Sequence, residues 1–242
     1  VDTARGGFIE QMTFSGEDAA IAFKRTRVTC RQIYVFSHAH VLGWSGGLDQ
    51  TAMGVDYLLA RAWQGDGKGF ARQLTRDGAV LDPVADLYDH AFVLFALAWR
   101  LKATGDAKAR DWLHRTLDFV ETHLRHPHEG FWHWTPPSGP RQQNPHMHLT
   151  EAMLIAHEAT GEARFADLAR ELVGLFRKRF FDLKTGTLAE YFTDDLARAP
   201  GDEGRIVEPG HQMEWAWILN RTRRQIGTDT AATIRALIAF AE

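Results

Sequence analysis

Residues 89–103 read Asp-His-Ala-Phe-Val-Leu-Phe-Ala-Leu-Ala-Trp-Arg-Leu-Lys-Ala, apolar nearly all round, which is the pattern of a helix buried on every side. Thr104-Gly105-Asp106 breaks the run, and residues 107–124 follow as a more amphipathic partner. The plan repeats downstream: residues 148–159 are apolar, Thr160-Gly161-Glu162 breaks, and residues 163–179 mix charges with Leu168, Leu172, Leu175 and Phe176. Short glycine-plus-aromatic strand signals punctuate the chain at Gly6–Glu10, Gly67–Ala71, Glu129–Trp132 and Gly186–Phe192. Counted from Gly7, Gly69, Gly130 and Gly186, they recur at 69 − 7 = 62, 130 − 69 = 61 and 186 − 130 = 56 residues. One buried and one outer helix per repeat imply an array of helical hairpins. The expected fold is all-α, an (α/α)6 toroid or barrel with short β-hairpins at one rim. The rival is an open α-solenoid used as a binding scaffold.

The bulk properties narrow the function. A length of 242 residues and 45% hydrophobic content suffice for a core, and we expect a single catalytic domain over residues 1–242, a partial barrel. The formal charge of −3, without a Lys/Arg stripe, argues against nucleic acid as a partner. No stretch approaches the roughly 20 apolar residues of a membrane helix. Cys30 is the only cysteine, which excludes an internal disulfide framework and fits a reducing compartment, so a cytoplasmic enzyme is expected. Val1–Phe8 enters directly into what reads as a hairpin, and residues 231–242 stop inside an apolar-periodic helix with no cap. Both ends are therefore expected to be cut from something longer.

Two His-x-x-Glu pairs, His148/Glu151 and His211/Glu214, each open an apolar helical run. Three residues apart on a helix, the Glu shares a face with the His and is expected to hold and tune it. The inner helices begin around Tyr88-Asp89-His90, Asn144-Pro145-His146-Met147-His148 and Glu208-Pro209-Gly210-His211, positions expected to converge on one rim. Helix N-termini there would present free N–H groups to an oxygen-rich substrate. Trp44, Trp132, Trp134, Trp215 and Trp217 supply faces able to stack on sugar rings, or simply core. Three His-x-His pairs, His38/His40, His126/His128 and His146/His148, raise a metal reading. Residues two apart diverge on a helix, so no metal or other cofactor is expected. Asp86, Asp89, Glu190 and Glu214 are carboxylates to weigh for glycoside hydrolysis.

The run Arg141–Ala152 (RQQNPHMHLTEA) with Glu208–Trp217 (EPGHQMEWAW) resembles the N-acylglucosamine 2-epimerase family, whose relatives include cellobiose 2-epimerases and mannose-type isomerases. Arg31–Ser37 and Asp86–Phe92 resemble two further blocks. The resemblance spans essentially the whole chain. It implies the (α/α)6 barrel and metal-free chemistry at carbon 2 of a reducing sugar, and it assigns roles by position. His211 would be a general acid/base, Glu214 would orient or help protonate it, and Arg31 would stabilise the enediolate oxygen. His148, paired with Glu151, would assist ring opening or grip the sugar, with Asn144, Tyr88 and Trp217 lining the pocket and His90 touching substrate. The partner would be a small-molecule sugar, and a homodimer is the assembly considered. The family's second catalytic histidine belongs to a later inner helix, absent before Glu242. If the chain is the whole polypeptide, the expectation is an unclosed ring and weak or no epimerase activity. An α/α-toroid glycoside hydrolase and a non-catalytic carbohydrate-binding toroid stay open as alternatives.

Overall fold

A computed structural model describes residues 1–241, with Ser45 described by its backbone alone. The chain divides into two compact units, Val1–Leu124 with Trp134–Pro136, and Arg125–His133 with Pro137–Glu242.

In the first unit, strand β1 (Phe23–Arg25) leads into α1 (Thr26–Val41), and α2 (Leu48–Arg61) packs back against it. Strands β2 (Gln73–Thr75) and β3 (Val80–Asp82) complete an antiparallel sheet in the order β1-β2-β3. β4 (Ala85–Asp86) feeds α3 (Leu87–Thr104), which packs on α1 and on its own partner α4 (Ala107–Phe119). Asp86 caps α3 by accepting the Tyr88 N–H at 2.7 Å, and Asp106 caps α4. α3 buries residues on every face, including Leu94, Leu97 and Leu101, as its all-apolar sequence demands. α4 runs on into a π-helical turn over Val120–Leu124, and β5 (Trp134–Thr135) pairs antiparallel with β4.

The second unit repeats the scheme. β6 (Arg141–Gln142) leads into α5 (Gln143–Thr160), backed by α6 (Ala163–Leu175), which also ends in a π-helical turn, Phe176–Phe180. β7 (Phe181–Asp182) pairs with β8 (Thr187–Leu188), and β9 (Tyr191–Phe192) returns to β6. Then α7 (Pro209–Ile226) packs on α5, with α8 (Ala231–Ala241) as its outer partner. Among the described residues there are thus four helical hairpins.

The Thr-Gly-acid breaks are helix C-caps: Gly105 and Gly161 adopt φ of 70° and 72°, the left-handed conformation that glycine enters without a Cβ penalty. Of the four glycine-aromatic segments, Gly186–Phe192 forms strands as expected, β8 and β9, and the other three do not. Phe70 and Phe131 form isolated bridges to Trp63 and Arg125 instead of strands, and Gly6–Glu10 forms none.

Candidate active site

His211 is the third residue of α7, a helix that Pro209 starts without wasting an N–H. The ring is half-buried, and its Nδ1–H donates to Glu190 Oε2 at 3.0 Å. Glu190 sits in the tight connection between β8 and β9 and is only 5% exposed. Its Oε2 also accepts from the Gln143 side-chain amide at 2.8 Å, while its Oε1 is buried without a hydrogen-bond partner. The hydrogen bond from Glu190 lifts the His211 pKa above the ordinary 6.5, burial opposes it, and the charges of Glu190, Glu214 and Glu208 add to the lift.

The carboxylate that holds His211 is therefore Glu190 and not Glu214, which corrects the His-x-x-Glu reading. Glu214 is exposed, makes no hydrogen bond to His211, and acts on it through charge alone. The two pairs are also out of register. α5 and α7 begin at Gln143 and Pro209, 209 − 143 = 66 residues apart, whereas the histidines are 211 − 148 = 63 apart. The three-residue offset is nearly one helical turn, so Glu214 occupies the helical position that His148 has in α5. His148 itself is 6% exposed, with Nδ1 3.5 Å from Glu151 Oε2. Asn144 keeps a buried Oδ1 with no hydrogen-bond partner, and Trp217 is 48% exposed with Arg221 over its ring.

In the first unit, Arg31 donates to the Tyr88 hydroxyl at 2.7 Å and lies over the Phe92 ring at 4.4 Å, so α1 and α3 present it as one braced, exposed cation. Beside it Arg27 grips Asp89 through both carboxylate oxygens at 3.0 Å.

His90, expected to touch substrate, lies in the core. It is fully buried, its Nδ1–H donates to the Asp86 carbonyl at 2.8 Å, and its Nε2 accepts the Phe70 N–H at 3.0 Å. Both ring nitrogens are used, and burial drives its pKa down to about 4. His146 repeats the arrangement in the second unit, between the Gln142 carbonyl at 2.8 Å and the Phe131 N–H at 3.0 Å, with burial driving its pKa down to about 3. Gly69 and Gly130, both at φ of 67°, let the loop backbone reach these rings; a Cβ there would lie 2.5 Å and 2.9 Å from the Nε2 atoms. In α7 the same helical position carries Gln212, whose amide donates to the Leu188 carbonyl at 3.4 Å. The recurrent glycine-aromatic and histidine signals are thus two halves of one structural brace.

Of the His-x-His pairs, His38 is bonded to the Tyr34 hydroxyl at 3.1 Å and His126 to Asp194 at 3.2 Å. Among the described residues no three His, Cys, Asp or Glu side chains are grouped to hold a metal ion. Glu190, weighed in the sequence only as a carboxylate for glycoside hydrolysis, and Gln143, within the Arg141–Ala152 run, are the polar residues around His211 whose link to it the motifs did not reveal.

Residues 7–242 match the model of the N-acylglucosamine 2-epimerase (GlcNAc 2-epimerase) family. The chain belongs to that family. Within the family's range of relatives, it is 38% identical over 237 residues to a mannose-6-phosphate isomerase of Rhizobium meliloti (strain 1021), covering 95% of this chain and 60% of that protein. It is 30% identical to a D-mannose isomerase of Thermobifida fusca, covering 80% of this chain and 51% of that protein. The structure superposes on a cellobiose 2-epimerase from Spirochaeta thermophila DSM 6192 with a TM-score of 0.89 at 25% identity, covering 99% of this chain and 64% of the other. Its fold class is accordingly the helical-hairpin toroid of the family. The chain spans less than two thirds of the length of these relatives.

Proposed function

We propose that the protein carrying this chain is an isomerase that moves the carbon-2 proton of a reducing sugar through an enediolate, as an epimerase or as a mannose-type aldose–ketose isomerase. The observation that carries this is the half-buried His211 ring, held through one nitrogen by buried Glu190 at 3.0 Å, with no hydrogen bond to the other among the described residues. A proton alpha to a carbonyl is taken by a base with pKa near the working pH, and imidazole is that base. Glu190 makes the ring more basic and stabilises its cation, while Glu214 adds negative charge nearby. His148 with Glu151, Asn144 and Trp217 would contact the sugar. Arg31, a cation that cannot surrender its proton to an oxyanion, keeps the enediolate role that the family resemblance gives it, with Tyr88 bracing it. The relatives' names support the reaction class, since mannose isomerisation and cellobiose 2-epimerisation both begin at carbon 2. A cytoplasmic location goes with this reading, on the strength of the single, buried Cys30. No helix described here is long and apolar enough to cross a membrane.

The test is incubation of the protein in deuterated water with mannose, fructose, glucose, N-acetylglucosamine, N-acetylmannosamine, cellobiose and mannose 6-phosphate, read by proton NMR. Loss of the carbon-2 proton signal from at least one of them is the expected result. Release of reducing ends from a glycan without that exchange would replace the reading with hydrolysis, and binding without change would leave a lectin-like toroid.

A further inference from the structure

Trp215, Gln143, Glu190 and His211 form one continuous chain of hydrogen bonds within the second unit, and only the first of them has no choice of direction. An indole N–H donates and never accepts. Trp215 is fully buried, stacked on Phe176 with ring centroids 4.1 Å apart, and donates to Gln143 Oε1 at 2.7 Å. The oxygen of the Gln143 amide is thereby committed to the indole, so its NH2 group must face the other way, where it donates to Glu190 Oε2 at 2.8 Å. Gln143 is fully buried, and its backbone N–H donates to the Glu190 carbonyl at 3.2 Å, so the two residues are tied twice. Turning the amide over would set its NH2 against the indole N–H and its oxygen against a carboxylate. Both mismatches would leave buried polar groups without partners, so the amide has one stable orientation.

The direction then passes to the imidazole. Glu190 Oε2, already accepting from Gln143, lies 3.0 Å from His211 Nδ1. A carboxylate oxygen accepts and does not donate, so the shared proton stays on the ring. Gln143 Nε2 also lies 3.3 Å from Nδ1, but the shorter contact with the anionic acceptor is the stronger one. Nδ1 is therefore the protonated nitrogen, and the lone pair of the neutral ring sits on Nε2.

We infer that Trp215 and Gln143 are positioning residues that act through Glu190 to hold neutral His211 as its Nδ1–H tautomer, leaving Nε2 to take and return the substrate proton. The inference deepens the proposed proton transfer and rests on it. It explains why a tryptophan and a glutamine with no access to solvent sit behind this histidine, and it separates Trp215 from exposed Trp217 two residues on.

The tautomer is readable without any substrate, by long-range proton–nitrogen correlation NMR of the 15N-labelled protein above the pKa of the ring. The expected spectrum for the unaltered protein is one Nδ1–H species. In Trp215→Phe, which keeps a ring against Phe176 and removes the donor, Gln143 is released and a second, Nε2–H species appears. Isosteric Glu190→Gln mixes the tautomers more strongly, lowers the ring's pKa, and cuts kcat for carbon-2 exchange by roughly a hundredfold or more, with KM little changed, by analogy with a lost orienting carboxylate. An Nε2–H spectrum in the unaltered protein overturns the inference, and needs no variant to fold. So does an unchanged tautomer and pKa in folded Glu190→Gln. A locked Nδ1–H ring in a protein that exchanges no sugar proton strikes instead at the reading beneath it.

Discussion

His90, His146 and His211 look alike in sequence, each a histidine in the first turn of an inner helix, yet they are put to opposite uses. His90 and His146 are the fourth residues of their helices, facing the glycine-aromatic loops, and both nitrogens of each are consumed there. His211 is the third residue of its helix, about 100° round from that direction, and it meets Glu190 instead. One residue of register separates a ring with both nitrogens engaged from one that meets a buried carboxylate. The motif His-x-x-Glu drew attention to His211 and pointed to Glu214, whereas the carboxylate hydrogen-bonded to the ring arrives from a loop 21 residues upstream, which local spacing does not report. The account predicts that carbon-2 exchange rises with pH to a plateau through a midpoint above 6.5, since the lifted His211 must be neutral to act as base. In a pH–rate profile of kcat/KM, Glu190→Gln should lower that midpoint more than Glu214→Gln does. The reverse order would return the orienting role to Glu214.

At the level of elements, hydrophobic patterning located the helices. The apolar run over residues 89–103 became α3, Leu87–Thr104, and the Thr-Gly-acid breaks fell on the left-handed caps. α5 begins at Gln143, one residue before the expected Asn144-Pro145 start, and its first turn holds a proline, which a helix accepts only there. Two of the four strand signals, at Gly69 and Gly130, gave only bridges because their glycines serve an approach of backbone to buried imidazole, whereas Gly186–Phe192 formed β8 and β9. That explanation makes a graded prediction. Gly69→Ala must accommodate a positive φ and a Cβ 2.5 Å from both His90 Nε2 and the Phe119 ring, so it should lose about 3 kcal/mol or more. Gly105→Ala, strained in φ but facing open space, should lose about 1 kcal/mol. Urea unfolding of the two variants compares them directly, and equal losses would show that the histidine contact contributes nothing.

Across the whole molecule, the fully enclosed rings of His90 and His146 are held neutral by burial, and acid should reveal it. In the unfolded chain an imidazole takes its proton below about 6.5, whereas His90 resists until about 4 and His146 until about 3. The unfolded state binds more protons throughout that window, so stability falls as pH drops from 6.5 through it, by about 1.4 kcal/mol per pH unit for each ring. Above 6.5 both rings are neutral in either state and contribute no slope. His90→Gln, copying the residue that α7 already carries at Gln212, should fold and shallow the acid limb of stability measured by denaturant titration. An unaltered limb would assign acid sensitivity to other groups.

Fold class and family were legible because they depend on periodicity and on motifs contiguous in the chain. The wiring of the site was not, because it depends on contacts between residues as far apart as Gln143 and Trp215. The central claim, that His211 moves the carbon-2 proton, is tested most directly by comparing the unaltered protein with His211→Ala in deuterated water on whichever sugar the protein exchanges. The account predicts that the variant binds the sugar and leaves its carbon-2 proton in place; exchange at the unaltered rate would contradict it.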